Sequence, residues 1–435
     1  MFHFGCSKNL VDTEMCIGLF KENNFEIVND PKKAEIIVIN TCGFIEPAKE
    51  EAINTILEMA EYKNSFKCKY LVVMGCLVKR YKKELIKALP EVDLFVSVEE
   101  YDVIWNLIED MINKDSKSKV VTSKNTLDYM DRIVTTGNTT AYLKISEGCS
   151  NNCTYCAIPY IRGKHVSRKM EDILEEANML AKKGIKELIV IAQDTTKYGI
   201  DLYNEYKLPE LLTKLSKIDG FKWIRFLYSY PESITDELIK VVKENDKICK
   251  YFDIPMQHFS DPVLKRMNRK SNSKSIEETI NKIREEIPNV ILRTTFIVGF
   301  PGETEEDFFE LYEFVNRAKF EKLGAFKYSK EDGTPAARLK EQVHYKKKQV
   351  RYDQIMTLQN QIAKIKLEEK IGNTYEAVVD SIENNGKLLI ARSYMDIPNE
   401  DGVIYIPNKG NINIGDFIKV KITDTQGYDL IGEIV

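Results

Sequence analysis

Three cysteines fall within eight residues, Cys149-Ser-Asn-Asn-Cys153-Thr-Tyr-Cys156, and no other stretch of the chain constrains it as much. They come directly after a strand candidate, Tyr142–Ser146, on a loop short enough to wrap one face of a metal cluster. A four-iron, four-sulfur cluster normally takes four cysteines. Three leave one iron open, as a catalytic metal keeps a position that a structural metal closes, and an open iron can chelate a substrate. A zinc knuckle would need a fourth nearby ligand, for which His165, nine residues past Cys156, is the one candidate.

The surroundings of the loop are a βα series. Strand candidates at Tyr142–Ser146, Leu188–Ala192, Trp223–Leu227, Tyr251–Ile254, Val290–Val298 and Leu323–Phe326, with helical stretches between most of them, predict a partial parallel barrel of six units. Gln193-Asp-Thr-Thr-Lys-Tyr-Gly199 follows the second strand and Val298-Gly-Phe-Pro-Gly-Glu303 the fifth, so both belong to the carboxyl face, where barrels carry their sites. Gln257 and His258 end the fourth strand, and Arg293 lies on the fifth. A plain strand-to-helix turn capped near Thr304 or Glu305 accounts for Gly-Phe-Pro-Gly-Glu-Thr equally well.

Before the barrel, β-branched runs at Glu35–Asn40 and Tyr70–Met74 alternate with helical patterns at Glu46–Ala60 and Lys82–Ala88. This alternation predicts a parallel sheet covered on both faces. Cys6, Cys42 and Cys76 are far apart in sequence, yet each sits just beyond the carboxyl end of a strand. Those ends share one edge of an open parallel sheet, so the three converge on one point. Cysteine is also simply a small buried hydrophobe, and Cys16, Cys68 and Cys249, which lack strand-end placement, are read that way.

Domain limits follow from texture. Residues 1–115 form the first domain, the polar run 116–134 a linker, and 135–365 the barrel domain, with one long basic helix, His344–Lys370, leading across its end into a different texture. In 366–435, short β-rich runs separated by Asn-Asn-Gly, Glu-Asp-Gly and Gln-Gly turns predict a small all-β barrel. The class is thus multidomain α/β.

Composition excludes several roles. Nine cysteines in 435 residues are too scattered for a secreted disulfide scaffold. No apolar run approaches the ~20 residues of a membrane span, and no leader-like segment follows Met1, so a cytoplasmic protein is expected. A net charge of −4 gives no global basic field for coating nucleic acid.

C-x-x-x-C-x-aromatic-C, with Tyr155 as the aromatic, after the first strand of a six-unit βα barrel resembles the radical S-adenosylmethionine superfamily. The resemblance implies that the open iron binds S-adenosylmethionine, with Tyr155, Gln193, Asp194, Gln257, Arg293, Gly299 and Glu303 as cofactor contacts. Two three-cysteine sets, a flavodoxin-like first domain and a terminal barrel similar to a TRAM module together resemble the methylthiotransferase family. That implies two 4Fe-4S clusters, the second one handling sulfur, and a C–S–CH3 product.

Gly5-Cys-Ser-Lys-Asn-Leu-Val-Asp-Thr-Glu14, Lys144–Gly148, Ala192–Gly199 and Tyr394–Gly402 resemble the RimO branch, which implies an aspartate of small-subunit ribosomal protein twelve as substrate. It also implies an electron donor such as flavodoxin or ferredoxin. Residues 371–435 hold five Lys/Arg against ten Asp/Glu, a charge that disfavours gripping a phosphate backbone and suits a basic protein. The alternatives are the transfer RNA enzymes of the MiaB branch and, in another class, a non-catalytic iron-sulfur sensor that binds RNA.

Overall fold

Near-continuous apolar runs need cover on both faces, and the first four strands obtain it. β1 (Phe2–His3), β2 (Ile36–Thr41), β3 (Tyr70–Gly75) and β4 (Leu94–Ser97) pair in parallel in chain order. Ile37, Ile39, Leu71 and Val73 pack with Ala52, Ile56 and Met59 of the helix Glu46–Ala60 and with Leu85 of the helix Cys76–Ala88. The computed structural model describes residues 1–113 and 132–435, so most of the expected linker 116–134 lies outside the described residues. Two compact units result: Met1–Thr135, Ser146–Val166 and Ser329–Ala337 form the first, and Thr136–Ile145, Ser167–Tyr328 and Arg338–Val435 the second. The three-cysteine loop therefore packs with the N-terminal sheet.

In the second unit, six parallel strands follow the expected series: β5 (Thr140–Lys144), β6 (Glu187–Ile191), β7 (Trp223–Phe226), β8 (Tyr251–Gln257), β9 (Ile291–Val298) and β10 (Lys322–Lys327). They form two three-stranded sheets joined by a parallel bridge between Ile224 and Ile248. The helix Glu305–Ala318 starts with a capping box, Thr304 accepting from the Asp307 N–H and Asp307 from that of Thr304, which fixes the loop before it.

β11 (Thr374–Glu383), β12 (Leu388–Ser393), β13 (Ile404–Pro407), β14 (Phe417–Gln426) and β15 (Asp429–Ile434) close into a barrel in the order 11-12-13-15-14. It docks on the amino-terminal ends of the six parallel strands. Lys186 Nζ donates to the Gly415 carbonyl at 2.9 Å, Tyr251 Oη to Asp401 at 2.7 Å, and Lys322 Nζ to Asp396 at 2.6 Å. The opposite, carboxyl ends carry the loops singled out above. The long helix Tyr345–Glu368 buries Ile355, Leu358 and Ile362, and its Arg351 holds Glu303 at 2.8 Å. Among the described residues, no helix is long and apolar enough to cross a membrane.

Candidate functional site

Strand register brings the scattered cysteines together. His3 pairs with Asn40 and Thr41 with Gly75, so Cys6, Cys42 and Cys76 leave neighbouring carboxyl ends. A Cβ at Gly5 would stand 2.8 Å from Cys42 Cβ and 3.0 Å from its Sγ, so glycine alone lets this segment pass so close. Gly75, at φ +110, precedes Cys76, and a Cβ there would lie 2.4 Å from Asn40 Oδ1 and 2.5 Å from the Thr41 carbonyl. Cys6 is exposed, Cys42 half-buried and Cys76 buried. Burial pushes the Cys76 thiol up to about 12, against the pull of Arg162. Cys16 and Cys249 are buried away from this edge and raised by burial to about 12 and about 11, which keeps them inert.

The second trio is local. Cys149 and Cys153 are buried and Cys156 half-buried. Cys149 N–H donates to the Gly163 carbonyl at 3.1 Å and Cys156 N–H to that of Cys153 at 3.0 Å, closing the loop on itself. Ile158 N–H donates to Cys156 Sγ at 3.5 Å from the start of the short helix Ile158–Arg162. Ala157 and Ile161 pack against Cys76, so the loop and the strand-end trio share a small apolar core.

Both donor sets consist of thiols alone, the soft ligands that iron-sulfur clusters take, and backbone close approach at Gly5 serves no single side chain. Among the described residues, no three His, Cys, Asp or Glu side chains close on a single ion. A four-iron cluster holds its thiolates further apart than one tetrahedral ion does. In donor chemistry the two trios suit such clusters.

At the carboxyl ends of the second unit's strands, Gln193 and Asp194 follow β6, and the buried Asp194 carboxylate accepts from Thr196 Oγ1 at 2.7 Å. Gln257 ends β8 at φ +73, and Tyr228, just past β7, adopts φ +65. Such left-handed conformations in bulky residues are strained and cluster at binding sites. His258 Nδ1 accepts from Ser260 N–H at 3.1 Å, which leaves the ring proton on Nε2, facing Glu303 Oε2 at 3.6 Å. Glu303 Oε2 also accepts from Phe300 N–H at 3.0 Å. With Oε1 on Arg351, its carboxylate is committed to shaping the Gly299–Glu303 loop.

Arg293 corrects the sequence reading. It is the third residue of β9, near the amino end, and donates to Asp253 at 3.3 Å and to Glu400 at 2.7 Å. Roughly five residues at about 3.3 Å each separate it from the carboxyl face, so its guanidinium anchors the C-terminal barrel.

Residues 143–315 match the Radical SAM superfamily, residues 1–97 the Uncharacterized protein family UPF0004 and residues 371–435 the TRAM domain. Over 431 residues the chain is 62% identical to the ribosomal protein uS12 methylthiotransferase RimO of Alkaliphilus oremlandii, an alignment covering 99% of this chain and 97% of that protein. The chain belongs to the RimO family. RimO of Acetivibrio thermocellus is 50% identical over 439 residues, 99% of this chain and 97% of that one. The radical S-adenosylmethionine methyltransferase TsrM of Kitasatospora setae shares the fold, with a TM-score of 0.58 at 12% identity over 75% of this chain and 73% of that chain.

In this RimO-family chain, the residues that sequence reasoning missed sit on the helix Ser7–Glu22, which begins straight after Cys6. Asn9, Asp12, Thr13 and Glu14 are all buried. Asn9 Nδ2 donates to the carbonyls of Phe4 and Thr41, both at 3.0 Å, fixing the strand ends that lead to Cys6 and Cys42. Its Oδ1 accepts from Cys76 Sγ at 3.6 Å and from Arg162. Asn40 Nδ2 donates to the Asn9 carbonyl and Thr13 Oγ1 at 2.9 Å each. Polar residues at i, i+3 and i+4 amid apolar neighbours are the signal, since a helix normally turns that stripe apolar.

Proposed function

We propose that this protein inserts a methylthio group at the β-carbon of one aspartate of small-subunit ribosomal protein uS12, using S-adenosylmethionine and two 4Fe-4S clusters. The observation that carries this reading is that Cys6, Cys42 and Cys76 leave neighbouring strand ends, beside the local set Cys149, Cys153 and Cys156. A radical enzyme that only abstracts hydrogen needs the local set; delivering sulfur as well gives the strand-end set a task.

Cys149, Cys153 and Cys156 are proposed to hold the cluster with the open iron, and Cys6, Cys42 and Cys76 the auxiliary cluster. When bound, the first cluster and S-adenosylmethionine supply one-electron cleavage to a carbon radical that takes hydrogen from an unactivated C–H bond. The chain's own part is to hold, dry and orient. Burial of Cys149, Cys153 and Cys76 keeps water from the sulfurs. Gln193, Gln257 and the Gly299 backbone offer polar contacts to S-adenosylmethionine at the carboxyl face. Asp194 and Glu303 hold those loops from behind, with Tyr155 on the cysteine loop. The acid-rich C-terminal barrel suits a basic ribosomal protein, and a cytoplasmic location with flavodoxin or ferredoxin as electron donor completes the reading.

The test is the mass of uS12 from cells with and without the gene. A gain of about 46 Da on one aspartate, one S-CH3 replacing one H, appears only with the gene. Unmodified uS12 with a cluster-loaded enzyme present would discard the assignment and move the search to transfer RNA.

A further inference from the structure

We propose that Arg162 is a positioning residue for the auxiliary cluster, its guanidinium donating to the Cys76 sulfur and setting how readily that cluster is reduced. The inference rests on the reading of Cys6, Cys42 and Cys76 as cluster ligands.

Arg162 ends the short helix that follows Cys156, and its side chain is 3% exposed. Its two arms are used differently. Nη1 donates to Asp12 Oδ2 at 2.8 Å and to the Glu147 carboxylate at 3.1 and 3.2 Å. Nη2 turns to Asn9 Oδ1 and to Cys76 Sγ, the latter at 3.4 Å. Arginine favours laying both arms on one carboxylate in bidentate geometry. Here the fork is split, with one arm on carboxylates and the other on a sulfur. Asn9 holds the second arm in place while its own amide grips the strand ends beside Cys6 and Cys42.

Hydrogen bonds to cluster sulfurs and the net charge around them set reduction potentials. A fixed cation within hydrogen-bond reach of one ligand sulfur favours the more negative, reduced cluster. Arg162 also belongs to the loop of Cys149, Cys153 and Cys156, so the segment that carries one thiol trio supplies the charge that acts on the other.

The experiment uses full-length Cys153→Ala protein, reconstituted anaerobically with iron and sulfide so that only the auxiliary cluster is held, and titrated electrochemically with electron paramagnetic resonance as readout. Adding Arg162→Gln is expected to lower the reduced-to-oxidised ratio at fixed potential at least tenfold, a fall of about 59 mV for one electron. Arg162→Lys, which keeps the charge, recovers part of the shift. An unchanged midpoint in Arg162→Gln at full cluster occupancy makes Arg162 purely structural and overturns the proposal.

A second measurement leaves Arg162 in place: arginine labelled with the heavy nitrogen isotope should give a nitrogen coupling to the reduced cluster in pulsed spectra, absent in Arg162→Lys. Lack of that coupling overturns the proposal even where Arg162→Gln fails to fold. If the Cys153→Ala parent takes up no cluster, the ligand assignment itself fails, and the proposal with it.

Discussion

Glu187, the first residue of β6, accepts a 2.8 Å hydrogen bond from Arg392 of the C-terminal barrel on Oε2, and its Oε1 accepts from Arg225 Nε at 3.2 Å. All three side chains are buried, and Asp380 accepts from Arg392 Nε and shares its Nη2, while Nη1 donates to the Asp396 carbonyl. Burial alone would raise the Glu187 carboxyl, but Arg392 and Arg225 together bring it down to about 2. Its folded value is therefore depressed below the ordinary 4.5, so its stabilisation is complete above about pH 4.5 and is lost as pH falls towards 2. Glu187→Gln leaves two buried cations facing each other. It is expected to cost about 3–5 kcal/mol in urea unfolding at neutral pH, and to flatten the acid limb of the stability profile between those values.

A second contact ties the parallel strands to the C-terminal barrel. Trp223 meets Phe417 edge-on, with ring centroids 4.8 Å apart. Trp223→Ala should destabilise by about 3–5 kcal/mol, and Phe417→Ala by less, since Phe417 is only half-buried. Thermal unfolding of the two variants measures the difference.

The thiol trios are separable. Cys42→Ala and Cys153→Ala, made singly, should each lose about four of about eight irons, and each should abolish uS12 modification. Iron and sulfide analysis of reconstituted protein checks the first, and intact-protein mass of uS12 the second. Equal iron in both variants and the parent would remove the cysteines from the metal sites.

Asn9→Ala removes the donor to the carbonyls of Phe4 and Thr41. Each carbonyl left unsatisfied costs about 1–3 kcal/mol, and the two precede Cys6 and Cys42, proposed ligands of the auxiliary cluster. Measured in Cys153→Ala protein, iron loss to a chelator should be roughly tenfold faster, equivalent to about 1.4 kcal/mol. In Cys42→Ala protein, which keeps only the other cluster, the same change should leave the rate unmoved.

Much of the fold was legible because its signals are local. The six barrel strands fall within a few residues of their sequence positions, since each is a short apolar run bounded by turn residues. The loop Cys149–Cys156 could be read without a structure because its three thiols are within eight residues. The convergence of Cys6, Cys42 and Cys76 followed from the parallel sheet, where strand ends share an edge. Arg293 shows the limit: periodicity placed it on a strand, but beside Asp253 of the neighbouring strand a second carboxylate that engages it comes from Glu400, 107 residues later.

The sequence by itself determined the local cysteine spacing, the α/β plan with its terminal β-barrel and the family resemblance, because spacing, periodicity and motif are properties of neighbouring residues. Only the tertiary structure decided which partners the buried polar groups meet: the Arg162 arm on Cys76 across 86 residues, the inward polar stripe of Asn9 and Asp12, and the pairing of Glu187 with Arg392 across 205 residues. The physical reason is that a buried charge or amide is tolerated only where the fold brings it a partner, and which partner arrives depends on register and packing over the whole chain.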